Sequence, residues 1–139
     1  MNRIQGWLVG VDQGMFDPFF YFNTEGEMWV GEGKRFVQQW VGFSEAFAEP
    51  PSVNVHVSLW DFGKNSAVRF DIWAEDITEM GFNVVFKTWG DTRVARIRVN
   101  WQAVGQAREC YNDSKIAWRK RGLVVTFING AECAFLKEG

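Results

Sequence analysis

Carboxylates, guanidinium groups and indole rings are the side chains through which this sequence could do chemistry. Its 139 residues include 17 Asp and Glu, 15 Lys and Arg, 13 Phe and 8 Trp. An aromatic ring can cover the apolar C–H face of a sugar, while a carboxylate and a guanidinium accept and donate charge-assisted hydrogen bonds at adjacent hydroxyls. These side chains are therefore suited to carbohydrate recognition, although most Trp and Phe residues of a globular protein lie in its core.

Residues for metal, thiol or phosphate chemistry are scarce. The one histidine, His56, and the two cysteines, Cys110 and Cys133, cannot form a zinc site made only of protein nitrogen and sulfur ligands. Residues 31–34 are rich in glycine but lack the spacing and the following Ser or Thr of a phosphate-binding loop. We therefore expect no metal and no cofactor.

Carboxylates that could act as the acid and base of a glycosidase are scattered over predicted loops and exposed strand faces. The candidates are Glu32, Asp71, Glu75 and Asp91. Their spacing singles out no pair, so we expect no enzymatic activity.

The charge and the hydropathy pattern limit the partners and the location. A formal net charge of −2 argues against a general nucleic-acid-binding protein, for which a basic balance is expected. No stretch approaches the roughly 18 consecutive apolar residues of a membrane span, and the N-terminus lacks the apolar region of a signal peptide. We expect a protein without a membrane span that is cytoplasmic or exported by a non-classical route. Residues 115–121 leave an alternative open, because their cations and Trp118 suit either an anionic surface or a solvated helix end.

The elements that must position the candidate residues are strands, because apolar and polar residues alternate at period two through the middle of the chain. The predicted strands are Val53–Leu59, Val68–Glu75, Phe82–Trp89 and Arg93–Trp101, with further extended pieces at Gly6–Val11, Phe19–Phe22 and Phe36–Phe43. Polar turn residues separate them, and loops are expected at 12–14 and 29–34. Short strands at this spacing indicate an all-β protein, either a sandwich or a barrel.

The C-terminal part differs in character. Residues 106–139 are expected to form an extension packed on the same domain as residues 1–105. A short basic helix is predicted at 115–121. An Asn-Gly pair at 129–130 is the strongest two-residue turn signal and predicts a β-hairpin between the apolar runs that flank it. The two cysteines lie in this extension and could form a disulfide or stay free thiols.

An ordered set of residues between Phe43 and Ala103 is more informative than the composition. The set comprises Phe47, Pro50-Pro51, Val53–Leu59, Arg69, Gly81-Phe82, the segment Thr88–Val94 and Trp101. In this order they resemble the H-type lectin domain, the family of the snail agglutinins and of the C-terminal domain of the slime-mould discoidins. Residues 26–33 are similar to the corresponding part of short bacterial members.

The resemblance implies a six-stranded antiparallel β-sandwich that assembles as a homotrimer with sugar sites at the edges between subunits. It implies that Glu32, beside Gly31, accepts hydrogen bonds from the hydroxyls of a galactose-type sugar, to which Arg69 donates. Trp89 matches the aromatic residue that a neighbouring subunit presents to the sugar, and Gly90 takes the next position of the site. The residues alone also allow simpler roles: Arg69 paired with a cross-strand carboxylate, Glu32 solvated, and Trp89 packed at an interface.

Two of these positions differ from the snail lectins, which have Asp in place of Glu32 and often His in place of Gly90. Glu32 requires its loop to lie further from the sugar, and Gly90 lacks a side chain that helps to hold an acetamido group. We expect a lectin for galactose-type or N-acetylgalactosamine-type glycans, as in cell adhesion. The alternative is a non-catalytic assembly module of the same fold that has lost sugar binding.

Overall fold

The computed structural model describes residues 8–21 and 25–108. In this part the chain forms six strands and one short helix. The strands are β1 (Val9–Phe16), β2 (Arg35–Gly42), β3 (Ser52–Phe62), β4 (Phe70–Glu75), β5 (Gly81–Thr88) and β6 (Val94–Gln106), and the helix α1 (Glu27–Val30) lies between β1 and β2.

Two three-stranded sheets make up the fold, one in the order β1-β6-β3 and the other in the order β2-β5-β4. Every neighbouring pair is antiparallel. The predicted six-stranded antiparallel β-sandwich is therefore confirmed. We call the first sheet sheet A and the second sheet B.

The core lies between the central strands of the two sheets, β6 and β5. The side chains buried there include Phe82, Val84 and Phe86 of β5 and Ala95, Ile97, Val99, Trp101 and Ala103 of β6. The rings of Phe82 and Trp101 meet edge to face, with 5.5 Å between their centroids. The alternation predicted for β6 holds, and a register shift at the start of the strand lets Val94 be buried as well.

Strand β1 differs from the prediction, because its middle lies at the expected loop 12–14. Two inward-facing positions of β1 are glycines that approach core aromatics. A Cβ added at Gly10 would lie 3.1 Å from Phe47, and one added at Gly14 would lie 2.8 Å from Trp101. The strand therefore packs on the core through the backbone of these glycines, and its sequence lacks the usual alternation of apolar and polar residues.

Two other predicted segments are also different. The extended piece 19–22 contributes one isolated bridge, between Phe20 and Arg96. The expected loop 29–34 begins inside α1, which ends at Val30.

The described strands belong to one compact unit that ends at Ala107. The predicted C-terminal helix, the hairpin and both cysteines lie outside the described residues, so the division at 105 stays a prediction. None of the helices in residues 8–21 and 25–108 is long and apolar enough to cross a membrane.

Candidate functional site

Two loops at one end of the sandwich lie side by side. One links α1 to β2 and carries Gly31 and Glu32, and the other links β5 to β6 and carries Trp89 and Gly90. The backbone N–H of Gly33 donates a hydrogen bond to the carbonyl oxygen of Gly90 at 3.0 Å. Because this bond joins the two loops, residues far apart in the sequence share one surface.

The backbone favours glycine at both ends of that hydrogen bond. The φ angles of Gly33 and Gly90 are 77° and 68°, in the left-handed region that side chains disfavour. Gly90 has a second constraint, because a Cβ there would lie 3.1 Å from the guanidinium of Arg69. A His at this position, as is frequent in the snail lectins, would therefore have a disfavoured left-handed backbone here and would also lie too close to the Arg69 guanidinium.

Arg35, the first residue of β2, holds both loops from inside. Its exposure is only 2%. Its guanidinium donates to carbonyl oxygens on the two loops and on α1, namely those of Glu27, Met28, Gly31, Gly33, Gly90 and Thr92, at 2.6–3.4 Å. A buried guanidinium needs such partners, because burying a charge without hydrogen bonds is very costly. The same contacts explain Gly31, since a Cβ there would lie 2.6 Å from the Glu27 carbonyl oxygen and 3.0 Å from Arg35.

Two buried threonines fix the backbone of Arg69, which directly precedes β4. The Thr88 hydroxyl donates to the Arg69 carbonyl oxygen at 2.6 Å. The Thr92 hydroxyl donates to the Ala67 carbonyl oxygen at 2.7 Å and accepts the Arg69 N–H at 3.2 Å. Both threonines are fully buried, so these bonds face no competition from water.

The side chain of Arg69 is held in solvent by Asp91. An Arg69 guanidinium nitrogen donates to an Asp91 carboxylate oxygen at 2.7 Å, with side-chain exposures of 44% and 62%. This hydrogen bond lowers the pKa of the Asp91 carboxyl below its ordinary value of 3.8. An ion pair this exposed adds little to the free energy of unfolding, but it does orient the guanidinium.

The remaining predicted residues lie on the outer surface of the same loops. Trp89 follows the buried Thr88, so its side chain points away from the core, and it is 38% exposed. Glu32 is also exposed. All five predicted positions are thus carried by two hydrogen-bonded loops and the residue before β4, within one chain.

A shallow groove of about 390 Å³ runs beside these residues. Its walls are formed by Trp29 from α1, Glu32 from the first loop, Asp91 and Arg93 from the second loop, and the β3–β4 turn from Gly63 to Ser66. We call it the lateral groove. Among residues 8–21 and 25–108, no group of three or more His, Cys, Asp or Glu side chains could hold a metal ion.

Sequence reasoning missed the residues that position the site. In the sequence, Thr88 and Thr92 stand out only as parts of the motif Thr88–Val94, and Asp91 stands out as part of that motif, as a turn residue and as a candidate acid or base, but not as a partner of Arg69. Arg35 carried no signal, because an arginine after a polar, glycine-rich loop is most often solvated. The simpler role predicted for Arg69, pairing with a carboxylate, is found, but the partner Asp91 lies in the β5–β6 loop and not on a neighbouring strand.

Comparison with known proteins identifies the family. The H-type lectin domain matches residues 38–104, a range that includes Arg69 and Trp89 but not Glu32. A protein of Fuscovulum blasticum described as ATP synthase subunits region ORF 7 is 47% identical over 104 residues, which cover 75% of this chain and 90% of that protein. The chain belongs to the H-type lectin family.

Solved structures agree with this membership. For this H-type lectin domain, a recombinant discoidin II of Dictyostelium discoideum matches 70% of the chain with 26% identity and a TM-score of 0.62. The wild-type discoidin II of the same organism matches 71% with 25% identity and a TM-score of 0.63. In both cases the matched part is only 37% of the discoidin chain, so this H-type lectin domain corresponds to about a third of discoidin II.

Proposed function

We propose that this H-type lectin domain binds galactose-type sugars, including N-acetylgalactosamine, at the two joined loops and that it is not an enzyme. The observation that carries the proposal is the Arg69–Asp91 pair, an oriented and solvent-accessible guanidinium on the same surface as Glu32 and Trp89. Gly31 and Gly90 contribute backbone to the site.

The chemistry of the site fits a sugar ring. Arg69 donates to one hydroxyl while Glu32 accepts from its neighbour, and charge-assisted hydrogen bonds of this kind are about twice as strong as neutral ones. The indole of Trp89 offers an apolar face for the C–H groups of the ring. Since Thr88 and Thr92 fix the Arg69 backbone, the sugar does not have to order it on binding.

A homotrimer is part of the proposal, with Trp89 of each subunit presented to the sugar of its neighbour. Large apolar side chains on the outer surface support assembly, since Phe36 and Trp40 of β2 are 67% and 51% exposed. One shallow site binds weakly, but three sites on one particle raise the affinity for multivalent glycans through effective concentration. A role in cell adhesion would follow from such multivalent binding.

Titration calorimetry with methyl galactoside, N-acetylgalactosamine and methyl glucoside tests this function. We expect binding of at least one galactose-type sugar and its loss in Arg69→Ala. Arg98→Ala is the matched control, because Arg98 is also a partly exposed arginine paired with an aspartate, but it lies on β6 and pairs with Asp17. A folded, trimeric protein that binds none of these sugars would contradict the proposal.

That negative outcome would favour the second candidate, an assembly module of the same fold that has lost sugar binding. The specific observation in its favour is Gly90, which supplies no side chain to a ligand. Both candidates predict a trimer, which light scattering coupled to size-exclusion chromatography measures. Sugar affinity separates them, since the module predicts a trimer that binds no sugar in the calorimeter.

A further inference from the structure

The lateral groove adjoins the surface proposed to bind one sugar ring. Its volume of about 390 Å³ lies in the range of small-molecule clefts, about 300–1,000 Å³. Glu32 and Asp91 belong both to its wall and to the loops of the proposed galactose site. A ligand bound by Arg69 at one end can therefore extend into the groove.

The groove carries an excess of positive charge. The charge of the Asp91 carboxylate is neutralised by Arg69. The other charged residues of the lining are then one carboxylate, Glu32, and two cations, Lys64 and Arg93. In the described ranges, neither of these cations forms an ion pair with a carboxylate. Two exposed cations without a partner, on one wall of one groove, are suited to an anionic group on the ligand.

The β3–β4 turn holds this wall in place. The Gly63 N–H donates to the Arg93 carbonyl oxygen at 2.8 Å, and the Arg93 N–H donates to the Ser66 hydroxyl oxygen at 3.2 Å. The Ser66 hydroxyl in turn donates to the Gly63 carbonyl oxygen at 3.2 Å. The turn and the start of β6 are thus joined by reciprocal bonds, so the backbone that carries Lys64 and Arg93 is preorganised.

Polar and aromatic groups complete the lining. Asn65 has an exposed amide that can donate to and accept from hydroxyls. Trp29, which is half-buried, forms an aromatic wall on the side of α1. An aromatic ring, an amide and two cations suit a ligand that combines a ring with hydroxyls and a negative charge.

We propose that the lateral groove binds an acidic substituent or acidic sugar unit attached to the galactose-type residue, with its carboxylate or sulfate held by Lys64 and Arg93. This inference rests on the proposed function for the position of the first sugar. The preferred ligand of the protein is then an anionic galactoside. A neutral galactose-type monosaccharide fills the first site and leaves the groove empty.

Three related saccharides test the groove: lactose, 3′-sulfolactose and 3′-sialyllactose. We expect each anionic form to bind about tenfold more tightly than lactose at low salt, the effect of one charge-assisted contact, with a smaller difference at high salt. The sulfated and sialylated arms distinguish a sulfate from a carboxylate. The double variant Lys64→Gln/Arg93→Gln should remove the difference and leave lactose binding unchanged.

Lys87→Gln is the matched control, because Lys87 lies on β5 away from the groove. Backbone amide shifts of Asn65 and Ser66 on titration with 3′-sulfolactose give a second readout that does not depend on affinity. We expect the NMR resonances of these two amides to shift with the anionic saccharides and to stay unchanged with lactose.

The outcomes separate this inference from the proposed function. Equal affinity for all three saccharides would overturn the acidic subsite while the galactose site stands. Binding of the anionic forms that the double variant abolishes, without measurable binding of lactose, methyl galactoside or N-acetylgalactosamine, would support the groove and contradict the galactose site. Absence of binding to all three saccharides would overturn the acidic subsite, and absence of binding to the neutral monosaccharides as well would overturn both.

Discussion

The amide of Gly33 and the carbonyl of Gly90 are joined by a hydrogen bond of 3.0 Å, which makes one surface out of two loops. Both glycines have left-handed backbone, but only Gly90 faces a functional side chain. This difference provides a matched pair of variants.

Gly90→Ala and Gly33→Ala should each lower the free energy of unfolding by about 1 kcal/mol, the cost of a left-handed Cβ. Only Gly90→Ala should also weaken sugar binding, because its Cβ would lie 3.1 Å from the Arg69 guanidinium, whereas nothing lies within 4 Å of a Cβ at position 33. Denaturant unfolding and titration calorimetry measure the two effects. Equal losses of affinity in both variants would show that backbone strain, rather than Arg69, is responsible.

Arg35→Met should lower the free energy of unfolding by about 2–4 kcal/mol, because several buried carbonyl oxygens lose their donor. Hydrogen exchange of the Gly33 amide should accelerate more than that of the β6 amides, since the loops separate before the sandwich opens. Arg98→Met should cost less than about 1 kcal/mol, because Arg98 forms a partly exposed pair with Asp17. Unchanged protection at Gly33 in Arg35→Met would be inconsistent with this role.

Thr92→Val should lower the free energy of unfolding by about 1–3 kcal/mol, because the isosteric change leaves the Arg69 N–H and the Ala67 carbonyl oxygen unpaired. Thr78→Val is the control, since the Thr78 hydroxyl also makes two backbone hydrogen bonds but is only partly buried. Thermal unfolding should show the smaller loss for Thr78→Val. Equal losses would mean that burial of the threonine is not the deciding factor.

The Asp91 carboxyl should titrate below 3.8, because the hydrogen bond from Arg69 lowers its pKa. A lowered pKa means that the pair stabilises the fold above the ordinary value and that this contribution is lost as the pH falls through the lowered one. Carbon-13 NMR of the carboxyl measures the midpoint, which Arg69→Gln should raise towards 3.8. A midpoint that does not move in Arg69→Gln would rule out Arg69 as the cause.

Gly14→Ala should lower the free energy of unfolding by about 1–3 kcal/mol, because its Cβ would lie 2.8 Å from the Trp101 indole in the core. Gly42→Ala is the control in a strand of sheet B, where the nearest atom to an added Cβ is 3.8 Å away. Chemical denaturation should leave Gly42→Ala within about 0.5 kcal/mol of the parent protein. An unchanged free energy of unfolding in Gly14→Ala would contradict this, because it would mean that the Trp101 indole and β1 can move apart without loss of stability.

The sequence predicts the parts of the fold that follow a simple pattern. Strands β3 to β6 are predicted because apolar residues recur at period two or in short runs between turn residues, and Arg69 and Trp89 are singled out because they belong to an ordered motif. Strand β1 is predicted only at its start, where it overlaps the extended piece Gly6–Val11, because Gly10 and Gly14 occupy positions where apolar side chains are expected. The glycines are needed because Phe47 and Trp101 occupy the space beside β1. Those two rings are distant in the sequence, so the local pattern of β1 does not predict them.

The site is predicted only in part for a similar reason. The resemblance to the H-type lectin domain nominates Glu32, Arg69 and Trp89 as ligand contacts, because they stand at recognisable places in an ordered motif, and their contact with a ligand stays a prediction. The sequence does not identify Arg35 or Thr92, whose roles depend on which carbonyl oxygens the fold brings near them. The tertiary structure decides which carbonyl oxygens these are, and no regular spacing in the sequence indicates them.

Within the part of the chain that the structure describes, the Arg35 guanidinium donates its hydrogen bonds to main-chain oxygens, so these bonds do not depend on which side chains the loops display on their outer surface. Residues 32, 89 and 91 can change type without removing an acceptor from the Arg35 guanidinium, provided that the glycines at 31, 33 and 90 are kept. Ligand preference and loop architecture are therefore separable properties of this domain. If the proposed function holds, a library that varies those three side chains should change the ligand preference while the loops keep their shape.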